Sequence, residues 1–221
     1  MSPPSKAASD DSLAKLRERL DAVDSGLHRL LRERFQIVAE IGKTKGPDES
    51  IIRPAREAAV IENRLAAHEG PMPADILVHI WRVLIGGACV VQRPFTLHIA
   101  GALDTARFLY GPISAALHAD AADAVAALAA KPSDLAIIDT ATSSDWWSGR
   151  GKAHAIGRYH TSSGGVVVVL GGEGVAFGAG PIALVAQDGD APREVDATVL
   201  GPDDDVIGRY HPFPLVIPVA E

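Results

Sequence analysis

The chain holds a single cysteine, Cys89, in 221 residues. A lone thiol excludes an internal disulfide and a zinc site built from cysteines. His28, His68 and His79 show no ligand spacing with one another, so no metal site is expected among them. No stretch of about 18 uncharged apolar residues appears, so no membrane-spanning helix and no membrane partner are expected. Residues 1–11 are rich in Pro, Ser and Asp and lack the apolar core of a secretory signal. These absences together fit a cytoplasmic protein. A dinucleotide fingerprint is also missing. Gly164-Gly165 and Gly171-Gly172-Glu173-Gly174 lack the strand, Gly-x-Gly-x-x-Gly and helix in succession, and read as a hairpin or tight loop. Excess positive charge is absent too: the formal net charge is −7, which argues against general nucleic-acid binding.

What is present is globular in composition, with 47% apolar and 22% charged residues. The charge is split. Residues 1–95 carry 14 Lys and Arg against 13 Asp and Glu, while residues 96–221 carry 7 against 15. Such asymmetry implies two units with different jobs. We expect a tail over residues 1–11, a helical domain over 12–94 and an α/β domain over 95–221.

From Ser12 to Lys45, apolar residues recur every three or four positions, which predicts one helix of about nine turns. Asp10, Asp11 and Ser12 are candidate caps, and Gly46-Pro47 ends the run. Such a helix is roughly 50 Å long, more than a small monomer can cover, so its seam calls for a partner helix from a second subunit. A second helix is expected from Pro54 to His68 and a third from Pro73 to Val91. Trp81 reads as a core or dimer-seam residue, and Cys89 as a small buried hydrophobe. Beyond Pro94 the pattern changes to short strands at 97–100, 135–138, 165–170, 181–186 and 215–219, with helices at 104–110 and 121–130. Ile156-Gly157-Arg158-Tyr159-His160 recurs as Ile207-Gly208-Arg209-Tyr210-His211, by coincidence, as a shared strand-end motif or as a duplicated ligand contact.

Helix geometry constrains what the cations can do. Arg34 and Lys45 are 11 residues apart, about 20° from alignment and about 16 Å along the axis, so they share a face. Arg17 and Arg34 point to different faces about 25 Å apart and cannot touch one small ligand in the same chain. If both bind it, Arg17 reaches the partner subunit's site. Clustered Arg and Lys suit a small polyanion; the alternative is a solvated face paired with Glu18, Glu33 and Glu40.

The run Leu16-Arg17, Asp21-Ala22-Val23-Asp24, Leu30-Leu31-Arg32-Glu33-Arg34 and Ile41-Gly42-Lys43-Thr44-Lys45 resembles the first helix of the all-helical (AroQ-type) chorismate mutases. The resemblance continues through Arg53-Pro54-Ala55-Arg56-Glu57 and Ile80-Trp81-Arg82 to Gln92, over about residues 12–93. It implies an intertwined homodimer of three-helix subunits with shared sites and a pericyclic conversion of chorismate to prephenate without a cofactor. It also implies that Arg34 and Lys45 of one chain, with Arg17 of the other, bind the substrate's carboxylates and ether oxygen. Arg56 would help position the carboxylates, Glu57 would bond the ring hydroxyl, and Gln92 would donate to the ether oxygen. Lys45, Gln92 and Arg34 would be the catalytic set. Two positions depart from the family pattern: Arg53 stands where an acidic residue is common, and Ala88 where a serine is frequent. Both remain candidate substrate contacts.

Residues 97–221 are similar in layout to a shortened, divergent prephenate dehydratase, through a strand, an Ala-rich helix and Asp134-Leu135-Ala136-Ile137-Ile138-Asp139. The dehydratase's Thr-Arg-Phe motif is missing from its expected place, so no efficient dehydratase activity is expected. An isochorismate-pyruvate lyase, or a dimeric sensor of an aromatic metabolite, are the alternative functions.

Overall fold

A computed structural model describes residues 6–142, 145–187, 190–213 and 216–217. The chain divides between Thr44 and Lys45 into two compact units.

The first unit is one helix, α1 (Lys6–Thr44). It starts six residues before Ser12, so residues 6–11, expected in a tail, are helical and the Asp10-Asp11-Ser12 cap is not used. Thr44 Oγ1 donates to the Ile41 carbonyl at 2.8 Å and closes the last turn. Leu13, Leu16, Leu20, Val23, Leu27, Leu30, Ile37 and Ile41 are all exposed. Their spacing alternates three and four, a coiled-coil seam in which position 34, an arginine, is the polar interruption.

The second unit begins with α2 (Pro54–Ala66) and α3 (Ala74–Gln92). Pro54 opens α2, where its missing N–H costs nothing. A mixed sheet follows, built from β1 (Leu97–Ala100), β2 (Ala115–His118), β3 (Leu135–Asp139), β4 (His154–Thr161), β5 (Val166–Gly171), β6 (Ile182–Gln187), β7 (Asp190–Asp196), β8 (Asp205–Tyr210) and β9 (Val216–Ile217). Helices α4 (Leu103–Tyr110) and α5 (Ala121–Ala130) connect β1 to β2 and β2 to β3. The strand order is β2-β1-β3-β5-β4-β8-β6-β7, with β9 paired to β4. Strands β1, β2 and β3 run parallel, and β5 is antiparallel to both β3 and β4. Of the expected last strand, 215–219, only Val216 and Ile217 are described.

Both faces of the sheet are covered, which is why its central strands read as unbroken apolar runs. Along β3, Leu135 and Ile137 face one core, and Ala136 and Ile138 face the other. The second core lies under α5, whose Ala121, Ala124, Val125 and Leu128 pack on Ala100, Val168 and Leu170. Asp120 caps α5 by accepting from the Asp123 N–H at 2.9 Å. In the first core, Ile52, Ile61, Val78, Ile85 and Cys89 join Phe95, Leu97, Ile99, Val167 and Val175. Helices α2 and α3 are therefore part of the same hydrophobic core as the sheet. By length and composition α3 is the one described helix that could cross a membrane; it carries Asp75 and Arg82, and its Val78, Ile85, Ala88 and Cys89 are buried here. Trp81 packs against the first core and Trp146 is buried in the second.

The two Ile-Gly-Arg-Tyr-His copies lie on β4 and β8, which run parallel and pair at Ala155 and Gly208. A Cβ at Gly208 would lie 2.0 Å from the Ala155 carbonyl oxygen, so the strands close only because this position has no side chain. The Gly171–Gly174 segment is a tight loop: Gly174 N–H donates to the Pro132 carbonyl and Val175 N–H to that of Gly172, each at 2.9 Å.

Candidate active site

Arg17 and Arg34 lie on α1; Arg17 is exposed, and the Arg34 guanidinium sits 5.6 Å from the Phe35 ring centre. Lys45, Arg53, Arg56, Glu57, Ala88 and Gln92 lie in the second unit.

Lys45 is held at the mouth of the α1–α2 loop, where its Nζ donates to the Ser50 carbonyl at 3.2 Å. The loop itself is tied to the end of α3. Arg93, next to Gln92, donates from Nη2 to the Gly46 carbonyl at 3.0 Å and from Nη1 to that of Glu49 at 3.4 Å. Cys89 contacts the Ile51 carbonyl at 3.9 Å. These contacts bring the segment that carries Lys45 to the helix end that carries Gln92. The Gln92 Nε2 donates to the Ala88 carbonyl one turn earlier, at 3.2 Å, and its buried Oε1 accepts no hydrogen bond among the described residues. Ala88 is buried against this turn.

Arg53 and Arg56 are exposed at the start of α2, while Glu57 points inward with its side chain 13% exposed. Glu57 Oε1 accepts from the Arg53 N–H at 3.2 Å, a capping contact at the positive end of α2. Glu57 Oε2 lies 3.9 Å from Arg82 Nη1. Burial pushes the Glu57 carboxyl above its usual range; Arg82 and the Arg53 N–H pull it down, and burial wins.

Arg82 was quoted in the sequence pattern without a role, and it is the residue that organises this corner. It donates from Nη2 to the Tyr159 hydroxyl, and its guanidinium stands 5.4 Å from the ring centres of both Tyr159 and Phe213. Its Nε is buried and makes no hydrogen bond among the described residues. Burial raises the Tyr159 hydroxyl, against the lowering pull of Arg82. Burial also pushes the neighbouring Tyr110 hydroxyl well up, further helped by Tyr159. Both tyrosines therefore stay neutral, and Tyr159 serves Arg82 as a hydroxyl. The sequence signal was available: Arg82 and Asp75 are the only charges in the 19 residues of α3.

The sheet carries a separate concavity of about 500 Å³ at the carboxyl ends of β1, β2 and β3. Strand order reverses here, since β2 and β3 flank β1 on opposite sides, and open α/β sheets bind ligands at such points. Gly101, Asp104, His118, Asp139, Thr161 and Ser163 line it. His118 Nε2 lies 2.9 Å from His98 Nδ1, and the buried His98 Nε2 lies 3.2 Å from Asp134 Oδ2. Among the described residues no group of His, Cys, Asp and Glu has the arrangement of a metal site.

The curated relatives are similar over about two fifths of this chain. A bifunctional chorismate mutase/prephenate dehydratase of Neisseria gonorrhoeae is 33% identical over 92 residues, which cover 42% of this chain and 25% of that protein. The like-named protein of Pseudomonas aeruginosa is 26% identical over 100 residues, covering 42% of this chain and 27% of its own length. That of Aquifex aeolicus is 29% identical over 96 residues, covering 41% and 26%. The chain thus spans about a quarter of the length of these relatives. No solved structure matches it. Arg17, Arg34, Lys45, Glu57 and Gln92 all fall within residues 16–93, and that region matches the chorismate mutase type II family.

Proposed function

We propose that the chain is a chorismate mutase that rearranges chorismate to prephenate as a homodimer with shared sites. The match of residues 16–93 to the family, with its cations at Arg17, Arg34 and Lys45, carries this reading. The reaction breaks an ether C–O bond and forms a C–C bond within one molecule, with no proton transfer. The protein's task is to hold the folded substrate and to stabilise negative charge growing on the ether oxygen. Lys45 is a compact cation and Gln92 an amide donor, and both suit that oxygen. Gln92 Nε2 gives one N–H to the Ala88 carbonyl and keeps a second for the ether oxygen. Arg34, Arg56 and the partner's Arg17 offer forked donors to the two carboxylates. Glu57 accepts from the ring hydroxyl. The exposed seam of α1 supports the homodimer, because a second copy supplies the apolar surface that so regular a stripe requires.

The test is turnover of chorismate by the full chain, followed as prephenate formed, alongside isochorismate as a competing substrate. Arg34→Ala and Lys45→Ala each lower kcat by about 10² to 10³, the usual cost of losing one donor to a developing oxyanion. A folded wild-type protein without turnover overturns the reading. Mixing Arg17→Ala with Arg34→Ala protein restores activity if subunits share sites, since the mixed dimer keeps one intact set.

The cavity at the ends of β1 to β3 supports a second role, binding of an aromatic metabolite by the α/β part. Calorimetry of the full chain with phenylalanine, prephenate and phenylpyruvate tests it, and no heat with any of the three counts against it.

A further inference from the structure

The Arg82–Tyr159 contact joins the helical region that resembles the mutases to a strand far outside it. Glu57 sits on α2 and Arg82 on α3, both within residues 16–93, whereas Tyr159 is on β4. Arg82 is 11% exposed at its side chain and has two candidate acceptors for its Nη groups, the Glu57 carboxylate and the Tyr159 hydroxyl. The rings of Tyr159 and Phe213 hold its guanidinium, a favourable seat for a buried cation. A guanidinium is a planar fork, so fixing one Nη on a hydroxyl sets the direction of the other. Here the other, Nη1, faces Glu57 Oε2 at 3.9 Å. The second Glu57 oxygen is fixed by the Arg53 N–H, so the carboxylate plane is defined from two sides.

We propose that Tyr159 of the sheet is a positioning residue for the mutase reaction, acting through Arg82 to orient the Glu57 carboxylate. This rests on the reading that Glu57 meets the substrate's hydroxyl. Tyr159 touches no substrate. Its hydroxyl holds Arg82 back from collapsing onto Glu57, which leaves a carboxylate lone pair for the ring hydroxyl. A too-close Arg82 would claim both oxygens in the bidentate geometry that arginine and carboxylate favour. The α/β part is then a component of the site rather than an appendage to it.

The same region holds a parallel link. The Ala176 N–H, at the end of the loop after β5, donates to Ser50 Oγ at 3.0 Å, and the Ser50 carbonyl receives Lys45. The loop after β5 thus braces the segment that carries Lys45.

The experiment is a double-mutant cycle on the full chain, with kcat and KM for chorismate measured separately. Tyr159→Phe keeps the ring and removes only the hydroxyl. It lowers kcat about tenfold with KM changed less than twofold, and in a Glu57→Gln background it has no further effect. Arg82→Lys, which keeps the charge but loses the fork, gives a similar kcat loss that is likewise absent in the Glu57→Gln background. If the losses from Tyr159→Phe and Glu57→Gln multiply in the double variant, or if Tyr159→Phe leaves kcat unchanged, Tyr159 does not act through Glu57 and the inference falls. If Glu57→Gln alone leaves kcat and KM unchanged while Lys45→Ala abolishes turnover, the Glu57 role and the inference fall together and the mutase reading stands. Wild-type protein without turnover overturns all three.

Discussion

At the scale of single residues, the candidate site and its surroundings respond to charge in opposite senses. His154 is buried on β4, with its Nε2 3.3 Å from the Ala176 carbonyl and its ring 5.0 Å from that of Phe177. Burial lowers its pKa below the ordinary 6.5, and hydrogen bonds to the backbone at Ala176 and Lys152 offset this only in part. Below about pH 6.5 the unfolded chain takes up a proton that the folded chain resists, so stability falls as the solution is acidified through that point. His154→Gln removes the titration. Denaturant midpoints of this variant between pH 7 and pH 5 decline less steeply than those of the wild type, and an unchanged slope rules His154 out. Gln92→Ala tests a different property. It lowers kcat for chorismate by about 10² or more while leaving the thermal midpoint nearly in place, because the side chain's one hydrogen bond among the described residues returns to its own helix. Lys45, Glu57 and Gln92 stood out as candidates in the sequence because each sits in a motif of fixed spacing. Arg82 and Tyr159, 77 residues apart, were not paired by any pattern, since a contact of that separation follows from the packing of two cores and not from local periodicity.

At the scale of elements, α1 carries the clearest consequence. Its seam residues Leu20 and Leu27, 59% and 52% exposed, lie seven apart on one stripe. Substituting both by Glu puts two like charges into any helix packed along that stripe, and light scattering finds the double variant as monomer where the wild type is a dimer. A wild-type monomer at micromolar concentration overturns the pairing. Position 34 on this stripe is an arginine, and a polar residue in an apolar seam fixes register at a cost in stability. Arg34→Leu accordingly tightens the dimer and removes turnover. The long helices were legible because a 3–4 repeat over many turns has no competing explanation. Among the strands, those with apolar runs were legible and those with mixed composition were not. Residues 135–138 appeared as continuous apolar text, and 97–100 as apolar but for His98, because helices cover both faces of the sheet. Strands β2, β4, β7 and β8 did not, since β2 is a part-exposed edge strand ending in His118 and β4 and β8 each carry a glycine, an arginine and a polar end. In β4 and β8 the repeated Ile-Gly-Arg-Tyr-His looked like a motif when it was first of all two neighbouring strands.

At the scale of the molecule, the charge split between residues 1–95 and 96–221 does not coincide with the division of the fold, which falls between Thr44 and Lys45. Helices α2 and α3 share the first core with the sheet through Ile61, Val78 and Ile85 against Leu97, Leu135 and Val167. A chain ending at residue 95 strips these helices of that surface. It has a far weaker cooperative thermal transition than the full chain, and it binds a hydrophobic dye, as exposed core surface does. Retention of the full chain's transition in that fragment overturns the shared core. Gly208→Ala probes the sheet itself. The added methyl meets the Ala155 carbonyl at the β4–β8 pair and costs about 1–3 kcal/mol of stability, measured by chemical denaturation.

The hydrogen bonds from Ala176 to the Ser50–Ile52 loop, and the packing of Val175 on the same core, reach across more than 120 residues of chain. Contacts of that span close late in folding. During synthesis the ribosome releases α1, α2 and α3 first, yet the loop beside Lys45 gains its brace only when residue 176 has emerged and docked. The part of the chain made first is the part completed last, so nascent chains halted before residue 176 hold the three helices without turning over substrate, and those halted after the last strand acquire activity.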